Sequence, residues 1–140
     1  MGQPTPYGKY RQTQIGTASQ VRLIVMLHDG AIRFLKQTIV AMNEGDLYKK
    51  CQNLNKALEI ITHLWASLDY NNSPDISGNM ARIFQYMHAR LVQANIDNDA
   101  GPMEEAIGYF STLREAWDQV DRFSQQNTEK TPTAELSAAA

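Results

Sequence analysis

From Leu47 to Leu68 the apolar residues recur at alternating steps of four and three, and this spacing constrains the fold more than any other feature of the chain. Such a period is typical of a helix that buries one face in a bundle. No proline interrupts the chain between Pro6 and Pro74. The predicted core stripe of this helix comprises Leu47, Cys51, Leu54, Leu58, Ile61, Trp65 and Leu68.

Two later segments carry the same kind of stripe, which predicts two further helices with one buried face each. In the third helix the predicted stripe is Ile76, Met80, Ile83, Met87, Leu91 and Ala94. In the fourth it is Met103, Ala106, Phe110, Leu113, Trp117 and Val120.

Capping and turn residues set the predicted ends of the helices. A capping box, Thr17-Ala18-Ser19-Gln20, opens the first helix, and Gly45 stops it after about Asn43. Asp46 caps the second helix, the third follows the turn-forming residues 69–74, and Pro102 suits the start of the fourth. Four comparable helices with short connections predict an all-α, antiparallel four-helix bundle over residues 19–125.

The two ends of the chain differ from this bundle in composition. Residues 1–18 form a predicted N-terminal arm that carries Lys9 and Arg11, contains no acidic residue and has four of its residues as proline or glycine before Gly16. The arm nevertheless holds Tyr7, Tyr10 and Ile15, which suggests that it docks on something. Residues 126–140 have almost nothing to bury, and we expect a disordered C-terminal tail.

Charge and hydropathy exclude several classes of partner. A net charge of -2 is the wrong electrostatic footprint for a protein that binds the phosphate backbone, so no nucleic-acid partner is expected. The longest apolar run, residues 23–27, is far shorter than the roughly 20 residues of a membrane helix, and the N-terminus lacks the apolar h-region of a secretory signal. We therefore expect a cytoplasmic protein without membrane insertion, and the single cysteine, Cys51, fits a reducing compartment.

The sequence offers no constellation for catalysis. It lacks a predicted strand to carry a nucleophile turn, and it lacks a glycine-rich phosphate loop. The facing Glu-x-x-His pairs of a metal-binding bundle are also absent, and Glu59 with His63 is interpreted as a surface pair. The chain is expected not to be an enzyme and to need no metal or cofactor.

The helices carry more apolar residues than a bundle core requires. In a bundle helix about three positions in seven face the core, yet residues 23–27 place apolar groups all the way round the first helix. Two interpretations stay open. The surplus could form a wide interface among the four helices, or it could form an exposed groove for amphipathic helices of a partner.

Four stretches of the chain resemble a known family in their order and spacing. They are TAS (17–19) with LIVMLHDGA (23–31), KALEII (56–61) with SLD (67–69), YM (86–87) with RLVQAN (90–95) and Asp99, and LREAW (113–117). Together, over about residues 10–117, they resemble the flagellin-export chaperones of bacterial flagellar systems. The sequence departs from that family at His28, where the family usually has an aromatic residue.

The resemblance implies a small four-helix chaperone that binds the disordered C-terminal segment of flagellin. Covering that segment would prevent premature polymerisation, and the chaperone would then deliver its client to the cytoplasmic domain of the flagellar type III export gate. A disordered client that folds on binding can wrap a large apolar surface, which agrees with the surplus of apolar residues.

The resemblance also places Tyr10, followed by Ile15, in an arm that covers part of the client groove. The residues expected to contribute to partner binding are Tyr10, Ile15, Leu23, Leu27, Tyr86 and Met87. Gly30, a small residue in mid-helix, suggests a close approach by another helix or by the client. The alternative hypothesis is a self-associating helical adaptor without a flagellin client, and a weak homodimer in the absence of client is a related expectation.

Overall fold

The computed structural model describes the backbone of residues 17–139 and the side chains of residues 20–126. The described backbone forms four helices and no strand: α1 (Thr17–Glu44), α2 (Leu47–Ala66), α3 (Pro74–Asp97) and α4 (Gly101–Ala139). This confirms the predicted all-α fold. The arm up to residue 16 lies outside the described residues, as do the side chains of the tail after residue 126, so both stay predictions. Over the described residues, no helix has the length and hydropathy needed to cross a bilayer.

Local chemistry explains where the helices begin and end. The Asp46 carboxylate accepts a hydrogen bond of 3.0 Å from the backbone N–H of Lys49, as predicted for the N-cap of α2. Gly45, at a φ of 71°, allows the chain to turn between α1 and α2 in two residues. Asn98 ends α3 in the left-handed conformation, a role in which asparagine is second only to glycine.

The contacts within the chain group it into two compact units. The central unit is Leu27–Leu113, and the terminal unit combines Met1–Met26 with Arg114–Ala140. Because the division falls within α1 and α4, each of these helices contributes a segment to both units. The predicted domain bounds, 1–18, 19–125 and 126–140, stay predictions.

Within the central unit, consecutive helices run antiparallel. Gly30 of α1 lies against Ile60 of α2, whereas Phe34, one turn further along α1, lies beside Lys56, one turn earlier in α2. Sequence order therefore rises on one helix as it falls on the other. The antiparallel order of α2 and α3 follows in the same way from the contacts of Lys50 with Asn95 and of Asp69 with Ser77. For α3 and α4 it follows from the contacts of Phe84 with Phe110 and of Arg90 with Glu105.

Three aromatic rings from three helices meet in the core of the central unit. The ring of Phe110 in α4 stacks on that of Phe84 in α3, with their centroids 6.4 Å apart. His28 of α1 meets the same ring edge-on at 5.8 Å and is 1% exposed. His28 stands where the family usually has an aromatic residue, and its imidazole ring takes that place in the core.

The predicted core stripe of α2 is rotated from the observed one. Leu54 and Ile61 are buried as predicted, but Leu47 is 68% exposed, and Cys51 and Leu58 are only half-buried. The buried residues of this helix are Lys50, Leu54, Ala57, Ile61 and Leu64. The expectation of Leu47 in the core is wrong because the helix turns the small Ala57 and the long stem of Lys50 inward instead.

The stripes of α3 and α4 are confirmed in part. In α3, Met87, Leu91 and Ala94 are buried as predicted, whereas Ile76 is exposed. Phe84, which is not in the predicted stripe, is buried in the core. In α4, Met103, Ala106 and Phe110 are fully buried.

The terminal unit buries carboxylates where the fourth stripe predicts an apolar residue. Val120 is exposed there, while Asp118 and Asp121 are buried. Arg22 of α1 lies 3.5 Å from the Asp118 carboxylate and 3.7 Å from that of Asp121, and Arg122 lies 2.8 Å from Asp118. These ion pairs offset the cost of burying two charges, and apolar spacing alone could not reveal them.

Lys50 is buried because its ammonium group hydrogen-bonds to the C-terminal end of α3. Its Nζ donates hydrogen bonds of 3.2 Å each to the backbone carbonyl of Asn95 and to the side-chain oxygen of Asn98. Carbonyl groups in the last turn of a helix lack intrahelical partners, and a cation there also interacts favourably with the helix dipole. Lys50 therefore fastens the start of α2 to the end of α3.

Gly30 marks a close approach between helices, as its place in mid-helix predicts. A Cβ atom at this position would lie 3.0 Å from Cδ1 of Ile60 in α2. Gly108 in α4 differs, because beyond its own stretch of helix no atom of the described residues lies within 4 Å of the place that its Cβ would take. The two glycines thus have the same backbone cost and different surroundings.

Replacing Gly108 with alanine should raise the free energy of unfolding by about 1 kcal/mol, the difference in helix propensity. Gly30→Ala should give none of this gain, because its new methyl group crowds Ile60. In an Ile60→Val background, which removes Cδ1, the gain should return. Denaturant unfolding of the four variants measures this, and an equal gain at both glycines in the wild-type background would contradict the close contact.

Replacing Lys50 with methionine should lower the free energy of unfolding by about 1–3 kcal/mol, because it removes two hydrogen bonds from a charged donor to the end of α3. Lys49→Met is the matched control. Its ammonium is exposed and lies 4.0 Å from Asp46, so the loss there should stay below about 1 kcal/mol. Equal losses in thermal unfolding would show that Lys50 does not fasten the two helices.

Candidate functional site

The residues predicted to bind a partner fall into different surroundings. Tyr10 and Ile15 lie outside the described residues. Leu23, in the terminal unit, and Leu27, in the central unit, are both half-buried on α1. Each presents part of an apolar side chain to the surface of its own unit.

Tyr86 and Met87 are neighbours in sequence but point in different directions. One residue is about 100° of rotation on a helix. Tyr86 is accordingly 52% exposed on α3, while Met87 is 5% exposed and belongs to the core. Of the two, Tyr86 offers the accessible surface.

Charged side chains hold Tyr86 in place on the surface of the central unit. The guanidinium carbon of Arg90, one turn further along α3, lies 5.7 Å from the centroid of the Tyr86 ring. Arg90 Nη2 donates a hydrogen bond of 3.1 Å to Oε1 of Glu105 in α4. That hydrogen bond and the negative charge of Glu105 raise the pKa of Arg90, a group that is a permanent cation in proteins. We call Tyr86, Arg90 and Glu105 the Tyr86 face.

The backbone beneath the Tyr86 face is fixed by the aromatic centre of the core. Phe84, two residues before Tyr86, stacks on Phe110. Tyr109, next to Phe110, is half-buried with its ring edge-on to that phenylalanine at 5.7 Å, and burial raises the pKa of its phenol. The exposed side chains on α3 and α4 therefore stand on a rigid base.

Cations cover part of the surplus apolar surface elsewhere in the central unit. The half-buried ring of Phe34 has the guanidinium of Arg33 at 4.9 Å and the ammonium of Lys56 at 5.4 Å from its centroid. Their aliphatic stems shield the ring from water. Phe34 is thus less available to a partner than Tyr86.

The three most exposed large hydrophobic side chains among the described residues were not among the predicted binding residues. Leu47, Tyr48 and Ile96 are each about 70% exposed, and the contacts of Lys50 bring their helix ends together. We call these three residues the loop-end patch. Tyr48 and Ile96 fall outside the predicted core stripes, and an apolar residue outside a stripe is the sequence signal that could have identified them.

The described residues contain no cluster of histidine, cysteine, aspartate or glutamate with the geometry of a metal site. Glu59 and His63 line a shallow groove of about 620 Å³ between α2 and α3, together with His88. Both Glu59 and His63 are exposed, in agreement with their interpretation as surface residues.

Comparisons with known proteins identify the family. Residues 3–124 match the family model described as flagellar protein FliS. The chain belongs to the FliS family. It is 39% identical over 114 residues to the flagellar secretion chaperone FliS of Bacillus subtilis, a match that covers 81% of this chain and 84% of the relative.

Other FliS proteins are nearly as similar. The flagellar secretion chaperone FliS of Salmonella typhimurium is 38% identical over 78% of this chain and 82% of its own length. The flagellar secretion chaperone FliSB of Pseudomonas aeruginosa is 32% identical over 78% of this chain and 86% of its own length. These matches confirm the resemblance found in the sequence: the chain is a member of a family of flagellar secretion chaperones.

Alanine substitutions should separate the surface role of Tyr86 from the core role of Met87. Tyr86→Ala should lower the free energy of unfolding by less than about 1 kcal/mol, since half of the side chain is already in water. Met87→Ala should lower it by about 2–5 kcal/mol, because it opens a cavity in the core. Denaturant unfolding measures both, and a larger loss for Tyr86→Ala would contradict the assignment.

Proposed function

We propose that this chain is an export chaperone for flagellin. It binds the C-terminal segment of flagellin, keeps that segment from polymerising before export, and supports delivery to the cytoplasmic domain of the flagellar type III export gate. The proposal places the protein in the cytoplasm and gives it no catalytic step, so neither a metal nor a cofactor takes part.

The observation that carries the proposal is the exposed aromatic side chain of Tyr86 on a rigid helical base, in a chain of the FliS family. A disordered segment that folds on binding needs apolar anchors that are already in place, because it loses its own conformational entropy in the process. Tyrosine and arginine supply such anchors at low entropic cost and are enriched among the residues that dominate binding.

The other predicted residues take supporting roles in this proposal. Leu27 and Leu23 offer half-buried apolar surface on α1 to different parts of an extended client. Met87 is buried, and it supports the site by packing in the core that fixes α3. Tyr10 and Ile15 in the arm cover part of the client surface until the client replaces them, so that arm and client compete for one site.

Self-association is the second candidate, and the loop-end patch favours it. Leu47, Tyr48 and Ile96 are each about 70% exposed, and apolar side chains at a surface can become buried in a contact between two copies. We propose that they support a weak homodimer in the absence of client. In the rival hypothesis the dimer is the functional state and the chain is an adaptor with no flagellin client.

Titration calorimetry with the C-terminal segment of a flagellin from the same organism tests the proposal. We expect saturable one-to-one binding with a negative heat-capacity change, the mark of apolar burial. Tyr86→Ala should weaken binding about tenfold or more. Tyr70→Ala, which removes a tyrosine of similar exposure from the loop between α2 and α3, is the matched control and should change the affinity less than twofold.

Light scattering on the same samples separates the two candidates. A stable dimer that does not take up the segment would contradict the chaperone hypothesis and support the adaptor. A dimer that weakens on dilution and gives way to a one-to-one complex agrees with the proposal.

A further inference from the structure

Arg90 has more hydrogen-bonding capacity than its surroundings use. A guanidinium group carries five N–H donors, and within the described residues Arg90 makes a single side-chain hydrogen bond, from Nη2 to Oε1 of Glu105. Its guanidinium carbon also lies 5.7 Å from the centroid of the Tyr86 ring, within the range of a cation–π contact. The group is therefore oriented and permanently charged, and most of its donors remain open.

The partner of Arg90 inside the protein is easily replaced. The Arg90 and Glu105 side chains are 43% and 47% exposed, and one oxygen of the carboxylate makes the contact. Ion pairs of this kind contribute little to stability, because water solvates both partners. A carboxylate that bound two N–H groups of Arg90 in parallel would make the stronger interaction.

Other charges on this flank of α3 favour a negative ligand. Arg82 lies one turn before Tyr86, as Arg90 lies one turn after it, and both are exposed. Arg82 hydrogen-bonds to the neutral side chain of Asn79, and it forms no ion pair with any residue that the structure describes. Two acids lie further along the chain: Asp97 accepts two hydrogen bonds from Gln93, and the charge of Asp99 acts on Arg90. Within the described residues, Glu105 is the acid at ion-pair distance from Arg90.

We propose that Arg90 recognises an acidic residue of the client, and that Glu105 occupies its place until the client binds. The matching client sequence has a carboxylate next to an apolar side chain: the carboxylate pairs with Arg90 and the apolar side chain packs on the exposed ring of Tyr86. Glu105 then turns into solvent. This inference rests on the proposed function and adds a specificity determinant to it.

Glu105 is thus a competitor of the client, so its removal should strengthen binding. In calorimetric titration with the flagellin C-terminal segment, Glu105→Gln should bind about two- to fivefold more tightly than the wild type. Arg90→Met should bind at least fivefold more weakly than the wild type. The affinity of Arg90→Lys should lie between those of the wild type and Arg90→Met, because lysine keeps the charge and loses the bidentate geometry. Circular dichroism and thermal unfolding check that each variant is folded.

Glu104→Gln is the matched control, because Glu104 is an exposed acid next to Glu105 that makes no ion pair within the described part of the chain. Its affinity should match that of the wild type. An unchanged or weaker affinity for Glu105→Gln, or an equal gain for both variants, would overturn the role of Glu105 while leaving the chaperone proposal in place. If the wild type does not bind the segment, the proposed function itself fails.

Discussion

Phe110 is the residue on which the central unit depends most. Its ring is fully buried and contacts a ring from α1, His28, and a ring from α3, Phe84. A helix bundle needs at least one layer in which side chains from several helices interdigitate, since separate pairwise contacts would leave the helices free to slide. With Gly30 against Ile60 holding α2 to α1, this layer fixes the base from which exposed side chains project.

A complete core gives the exposed residues a specific meaning. Tyr86 is half-exposed on a helix that the core holds in place, and the proposed contact with the client requires this combination. The neighbouring Arg90 keeps that surface polar while it is empty. A pair of side chains that is weak in the free protein and can be replaced by the client would allow both binding and release, which an export chaperone needs.

The sequence predicted the elements of the fold better than their rotation. Helix bounds follow from capping residues, so the N-cap at Asp46 could be read directly. The inward face of α2 could not be predicted in this way, because steps of four and three describe two neighbouring faces of the helix equally well. The choice between them depends on Lys50, whose burial makes sense only when Asn95, 45 residues away, is seen to offer it an acceptor.

The same limit applies to the candidate site. Tyr86 and Met87 look equivalent in a family motif, and only the coordinates separate an exposed ring from a buried thioether. Arg90 was part of the resemblance but had no predicted role. Its cation–π contact with Tyr86 and its ion pair with Glu105 are not visible in the sequence, where Tyr86 and Glu105 lie 19 positions apart. Tyr10 and Ile15, outside the described residues, stay predictions.

The central claim is that the client binds the folded bundle from outside and leaves the core intact. Hydrogen–deuterium exchange of the protein, with and without the flagellin C-terminal segment, tests this most directly. We expect added protection along α3 around Tyr86 and Arg90, and unchanged protection of the amides around Phe110. Loss of protection around Phe110 on binding, or no change along α3, would contradict it.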